Sequence, residues 1–243
     1  MKKYSYLGLI LVIIVFSLIF IPKILERISE KKIISSNRTT TLSSSLAYIK
    51  INGEAKKVPQ FILINQDSLY VSNEDYLGKV FLVEFFFSRC PTICPIMNKN
   101  MKSLYEIYGK KDDFGIASFS IDPENDTPSV LKSYSEGLTV NSLNWNFLTG
   151  QKSDIYSIAN KGFNIFAGIN PNVAGGFEHQ GYFALIDKNG YLRSRIDKFG
   201  NPIVYYLGIE NEFAPIQGVD MLVEDIALLL KENNLYKKNE FYR

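Results

Sequence analysis

Lys79-Val-Phe-Leu-Val-Glu-Phe-Phe-Phe-Ser-Arg-Cys90-Pro-Thr-Ile-Cys94-Pro-Ile-Met97 is the stretch whose reading decides the fold. Val80 to Phe87 is an apolar, aromatic and β-branched run, the composition of a strand buried on both faces. It runs into the protein's two cysteines, Cys90 and Cys94. Beyond them Met97, Met101, Leu104, Tyr105 and Tyr108 recur at steps of three and four, the period of a helix. The order is buried strand, cysteine loop, helix. Each cysteine precedes a proline, which pushes it toward extended geometry and onto the loop. Pro95 suits the first helical position, so Cys94 is expected at the N-cap, beside the positive end of the helix dipole. That placement predicts two low-pKa thiolates close together, able to form a disulfide or hold a soft metal ion.

Working outward, the remaining chain alternates strands and helices. Residues 59–72 read as two short strands around a turn at Asn65 to Ser68. Phe114 to Ile121 reads as a strand. Thr127 before Pro128 is a good N-cap, with a helix running to about Glu136. Trp145 to Gly150 is a short strand and turn, and Ser153 to Phe163 a helix. Gly168 to Gly176 is a Gly/Asn-rich loop, after which stands His179, the one histidine of the chain. Tyr182 to Asp187 and Tyr191 to Ile196 form a hairpin around Lys188-Asn-Gly190. Asp197 to Gly218 is irregular. A last helix, Val219 to Asn233, puts Met221, Leu222, Ile226 and Leu229 on one face. The pattern is that of an α/β sheet with helices on both faces.

Ahead of this body, residues 4–21 carry no charge and as a helix would span roughly 27 Å, close to the hydrocarbon thickness of a bilayer. We expect residues 1–24 to be an uncleaved transmembrane signal anchor, 25–46 a flexible polar linker and 47–237 the folded domain. Lys23, Arg27, Lys31 and Lys32 follow the apolar run, against Lys2 and Lys3 before it. The positive-inside rule alone would place the body in the cytoplasm. The cysteine chemistry points outward, and we side with the chemistry: a single-pass protein of the cytoplasmic (inner) membrane with its folded domain on the periplasmic, extracytoplasmic side.

Composition narrows the functions. A net charge of +2 and the lack of a basic cluster interleaved with exposed aromatics argue against nucleic acid. Two cysteines are too few, and too close, for a disulfide framework, which leaves a redox or metal role.

Four motifs together carry a resemblance: Cys90-Pro-Thr-Ile-Cys94-Pro; Ser118-Phe-Ser-Ile-Asp-Pro-Glu-Asn-Asp-Thr-Pro128; Trp145 with Leu148-Thr-Gly150; and His179 ahead of Phe183-Ala-Leu-Ile-Asp-Lys-Asn-Gly190. In this order they resemble the Sco/SenC family over roughly residues 59 to 233. The family consists of membrane-anchored, thioredoxin-like proteins that bind copper and help assemble the copper centre of cytochrome c oxidase. The resemblance implies a thioredoxin-like fold, about one copper ion per chain, Cys90, Cys94 and His179 as its ligands, and the copper-binding oxidase subunit as partner. Gln180-Gly181 follow the histidine where the family often has serine or threonine, and 197–218 is longer than the family leads one to expect.

Soft thiolates suit Cu(I) and imidazole suits either copper oxidation state. Zinc could take the same three ligands plus water. Met97 and Met101 read as core, given their helical spacing. Asp122 and Glu178 each read as a helix-cap or exposed carboxylate rather than a group that tunes the site, and Asp126 as a first-turn charge on the helix dipole. The first functional expectation is a copper metallochaperone rather than an enzyme. The alternative is a thiol–disulfide oxidoreductase that reduces the oxidase cysteines through a redox-active Cys90–Cys94 disulfide, with a peroxidase or a redox sensor further off. Thioredoxin-type oxidoreductases usually separate their cysteines by two residues. Here three intervene, which favours metal.

Overall fold

The computed structural model describes residues 13–18, 20–22, 46–140 and 143–240, with side chains to residue 232. The chain divides into two units, residues 1–42 and 43–243. Of the first unit, residues 13–18 and 20–22 are helical. Among the described residues no helix is long and apolar enough to cross a membrane. The expected anchor at 4–21 lies in large part outside the described residues, as does nearly all of the expected linker.

The second unit starts with three two-residue strands, too short to show a period in the sequence: β1 (Ala47–Tyr48), β2 (Lys50–Ile51) and β3 (Glu54–Ala55). β4 (Ile62–Asn65) and β5 (Tyr70–Ser72) are the expected hairpin, with the Asn65 side chain accepting from Asp67 N and Leu69 N inside the turn. A single 3₁₀ turn, Asn73–Tyr76, is closed by a Ser72–Asp75 capping box. Then come β6 (Val80–Phe86), helix α1 (Cys94–Tyr108), β7 (Phe114–Ser120), α2 (Pro128–Gly137) and β8 (Trp145–Thr149). α3 (Lys152–Ser157) passes into a π-helical turn, Ile158–Phe163, so the helix expected over 153–163 widens halfway. β9 (Ala167–Ile169), β10 (Phe177–His179), β11 (Tyr182–Ile186), β12 (Leu192–Ser194), β13 (Tyr206–Leu207) and α4 (Gly218–Glu240) complete the chain.

The main sheet runs β1-β12-β11-β6-β7-β8-β4-β5, with β13 also paired to β11. β6, β7 and β8 are parallel, each joined to the next by a helix; every other pairing is antiparallel. β6 is therefore interior, and all seven of its residues are buried, as its composition demanded. Successive side chains of β6 face opposite ways. On one face Phe86 stacks on Tyr134 of α2, and next to it Trp145 of β8 meets Tyr105 of α1. On the other, Phe85 packs edge-on against Phe163 of the π turn, and Phe81 stacks on Tyr76. Helical elements thus cover both faces of a mixed α/β sheet. Each fully buried phenylalanine contributes about 1.5–3 kcal/mol to that core. α4 buries Leu222, Ile226 and Leu229, the face its sequence predicts, and Val223 O accepts from the Tyr108 hydroxyl of α1 at 2.5 Å.

Two buried ion networks hold the β11–β12 hairpin to α4. Arg193 pairs with Asp187 at 2.9 Å and reaches Glu232, while Arg195 pairs with Asp225 and Glu224. Inside the segment expected to be irregular, β13 docks Tyr206 onto the same network, its hydroxyl donating to Asp225 at 2.7 Å.

Candidate metal centre

β6 delivers the chain to the C-terminal edge of the parallel strands, where α/β sheets place their sites. Ser88 to Ile93 then turns back into α1. The cap differs by one residue from the expected one: Ile93 is the N-cap and Cys94 the first residue of the helix, because Pro95 sits at the second helical position. No side chain caps this end. The Cys94 sulfur still lies in the first turn, where the helix dipole acts.

Cys90, Cys94 and His179 come together. One sulfur or ring nitrogen from each lies within 4.8 Å of the others, all three residues are buried, and both cysteines are free thiols. Cys94 Sγ is 3.2 Å from His179 Nε2. His179 Nδ1 lies 3.3 Å from Gln180 O, a carbonyl that can accept a hydrogen bond. Nε2 is the ring nitrogen that faces the Cys94 sulfur, the atom a metal ligand would offer.

The two thiols do not titrate alike, contrary to the expectation of two acidic thiolates. Cys90 is lowered to about 3, first by the hydrogen bond it accepts from the Cys94 thiol, then, against the cost of burial, by His179 and the backbone N–H groups of Cys94 and Thr92. Cys94 is pushed far above the ordinary thiol range by its bond to Cys90 and by burial, and the charges on Cys90 and Glu84 add to this. One negative charge is stabilised in the pair; a second would have to form beside it in a dry site.

His179 is not on a loop, as its glycine-rich approach suggested. It ends β10 in a hairpin with β9, paired with Ala167. Asn160 of the π turn brackets that partner, donating to Ala167 O at 2.9 Å and accepting from Ala167 N at 3.1 Å. The ring is thereby tied to the helical layer. At the hairpin tip Gly175 has φ +87°, and a Cβ there would lie 2.9 Å from the Phe87 ring and 3.1 Å from Pro91. Only glycine lets the tip close over the cysteine loop. Phe87, Thr92, Ile93, Val173 and Phe177 line a small pocket of about 200 Å³ beside Cys90 and His179. A metal held by the three side chains would keep an open coordination position on that side.

The SCO1/SenC family matches residues 50–213. The chain belongs to that family. The SCO1 protein homolog of Bacillus subtilis (strain 168) is 38% identical over 136 residues, 55% of this chain and 70% of the relative. BsSco, a member of the Sco family of cytochrome c oxidase assembly proteins in which a disulfide switch was identified, is 33% identical with a TM-score of 0.58. That comparison covers 72% of this chain and 93% of BsSco. Bradyrhizobium japonicum ScoI, solved with copper bound, is 25% identical with a TM-score of 0.51, over 59% of this chain and 90% of ScoI. These likenesses make the mixed sheet the thioredoxin-like fold of Sco proteins.

Within this SCO1/SenC chain three other residues of the acidic motif segment prove to support the cysteine loop. Asp126 is fully buried and does not serve as a helix-dipole charge. Its carboxylate accepts from Ser88 N at 2.9 Å, Ser120 Oγ at 2.5 Å, Asn125 Nδ2 at 3.0 Å and the Ser88 hydroxyl. Asp122 is also buried rather than a solvent-facing cap; it pairs at 2.7 Å with Arg89, the neighbour of Cys90. Ser120 gives its hydroxyl to Asp126 and accepts from Asp122 N, linking the two carboxylates. Their partners lie more than thirty residues upstream, so no local pattern revealed the contact; the acidic run itself was the available signal. Glu178 is exposed as expected, accepting from Asn170 across the hairpin. Met97 and Met101 are fully buried core residues.

Proposed function

We propose that this chain is a copper carrier that serves assembly of the copper centre of cytochrome c oxidase. The observation that carries the reading is the convergence of two thiols and one imidazole, 85 residues apart along the chain, within 4.8 Å. Two soft sulfurs and a borderline nitrogen suit Cu(I) and tolerate Cu(II). A structural zinc site would close its coordination with a fourth protein ligand. Here the described residues offer three, and the pocket leaves room for a donor from an acceptor protein. The likeness to copper-bound ScoI and to BsSco supports the same assignment. On binding, copper supplies the soft Lewis acid. The protein supplies a thiolate on Cys90, an imidazole whose Nε2 faces Cys94, and a loop braced by Asp126.

In this proposal residues 4–21 form a single-pass anchor in the cytoplasmic membrane and the folded unit faces outward, toward the copper-binding oxidase subunit. The second reading is reduction of that subunit's cysteines, favoured by one observation: Cys90 is an acidic thiolate next to a protonated partner thiol. Metal analysis of the reduced protein separates the two. A carrier retains about one copper per chain through gel filtration and loses it in Cys90→Ser and in Cys94→Ser. Fast multiple turnover of a disulfide substrate without copper, together with no retained metal, would establish the reductase reading instead.

A further inference from the structure

The link that follows His179 is gripped from two sides. Gln180 N donates to Phe166 O at 3.2 Å, and Gln180 Oε1 accepts from Phe166 N at 2.9 Å. Gln180 thus brackets Phe166 as Asn160 brackets Ala167, the next residue along. On the other side, Gly181 O accepts from Gly208 N at 2.8 Å. Gly208 is buried, and its carbonyl accepts from Asn100 Nδ2 at 3.0 Å. Asn100 belongs to α1, the helix that begins at Cys94. A Cβ at position 208 would lie 2.9 Å from the Phe183 ring, so the peptide makes this approach only as glycine. Gly181 packs against Ile93 and Met97 at the start of α1 and against Ile209. The segment 197–218, longer than the family leads one to expect, therefore joins the residues after His179 to the helix of Cys94 through the Gly208 peptide.

What these bonds hold in place is the carbonyl of Gln180. It lies 3.3 Å from His179 Nδ1 and accepts from Tyr182 N at 3.0 Å. The opposite ring nitrogen, Nε2, is the one 3.2 Å from Cys94 Sγ. An imidazole that binds a metal through one nitrogen carries its N–H on the other, and the acceptor met there fixes the rotation of the ring. If the Gln180–Gly181 link could turn freely, that acceptor would swing away and the ring would lose its orientation.

We propose that Gln180 and Asn100 are positioning residues for copper. Gln180 by its bracket on Phe166, and Asn100 through Gly208, keep the Gln180 carbonyl against Nδ1, so that His179 meets the metal through Nε2. This rests on the copper reading above and adds how the histidine is held. Both side chains act through the backbone and not on the metal. Each grip lost is one hydrogen bond, which shifts an equilibrium by roughly two- to tenfold.

The test uses the full chain in detergent as wild type, Gln180→Ala, Gln180→Glu and Asn100→Ala, with copper stoichiometry measured first. Pulsed electron paramagnetic resonance of the Cu(II) form reads the modulation from the unbound ring nitrogen, whose frequencies report the hydrogen bond made there. Loss of Cu(I) to bicinchoninate is timed on the same preparations. Both alanine variants are expected to shift those frequencies and to lose copper roughly two- to tenfold faster. Gln180→Glu keeps an acceptor for Phe166 N and is expected to return both readouts to wild type. In the metal-free chain, Phe166 N–H should exchange with solvent faster in Gln180→Ala than in wild type or Gln180→Glu. Copper held with wild-type frequencies in both alanine variants overturns the proposal and leaves the copper reading standing. Wild type that retains no copper, or copper without imidazole modulation, overturns both.

Discussion

Burial of Glu84 has a consequence for the metal-free protein that can be worked out in numbers. The carboxyl moves from an ordinary 4.5 to about 7 on folding. An acid raised in the folded state contributes its stabilisation fully below the unfolded value and loses it as pH climbs through the folded one. The complete cost of ionising Glu84 in the fold is about 3 kcal/mol. Glu84→Gln keeps the shape, retains an acceptor for Ser118 and cannot ionise. Relative to wild type it should gain about 3 kcal/mol between about pH 4.5 and pH 8. The assay is urea unfolding of the reduced, metal-free chain at both pH values, read by tryptophan fluorescence from Trp145. A wild-type-minus-variant difference that stays constant across this range would show that Glu84 ionises in the fold as readily as in water.

Three other outcomes follow from the same contacts. Asp126→Ala leaves Ser88 N–H and the Ser120 hydroxyl without their acceptor, and should cost about 3–5 kcal/mol with parallel loss of copper retention. Thermal unfolding and metal analysis of one preparation check both halves. Gly175→Ala puts a Cβ against Phe87 at positive φ and should lower stability by ~1–3 kcal/mol while weakening copper binding, since the strained tip carries His179; unaltered affinity would detach the hairpin tip from the site. Arg193→Met strands Asp187 in the core and should destabilise by about 3–5 kcal/mol without changing copper affinity at temperatures where the variant is folded.

The sequence carried the scaffold well wherever one period dominated. Val80–Phe86, the α1 stripe of Met97, Met101 and Leu104, and the Thr127-Pro128 start of α2 are each decided by neighbours in the chain. The strands at 47–55 were missed because two-residue pairings have no period to read. The β9–β10 hairpin was missed because its glycines signal a turn while its pairing depends on Asn160 and the tip closing on Phe87. The residues that converge at the site, Cys90, Cys94 and His179, were legible through their motifs. Asp126 was not, because its role is set by Ser88, and Thr127-Pro128 beside it offered a sufficient local explanation. Two acidic cysteines were expected from the helix dipole alone. The pair shares one charge because the sulfurs face each other in a buried site, which only the folded geometry reveals.

The central claim is that the imidazole of His179 completes a copper site with the two sulfurs. The most direct measurement is the Cu(II)–thiolate absorption band and copper affinity of wild type against His179→Ala. We predict one copper per chain in the wild type, with weaker binding and a shifted band in the variant. An identical band and identical affinity would contradict the account and leave a dithiol protein in which the histidine is a bystander.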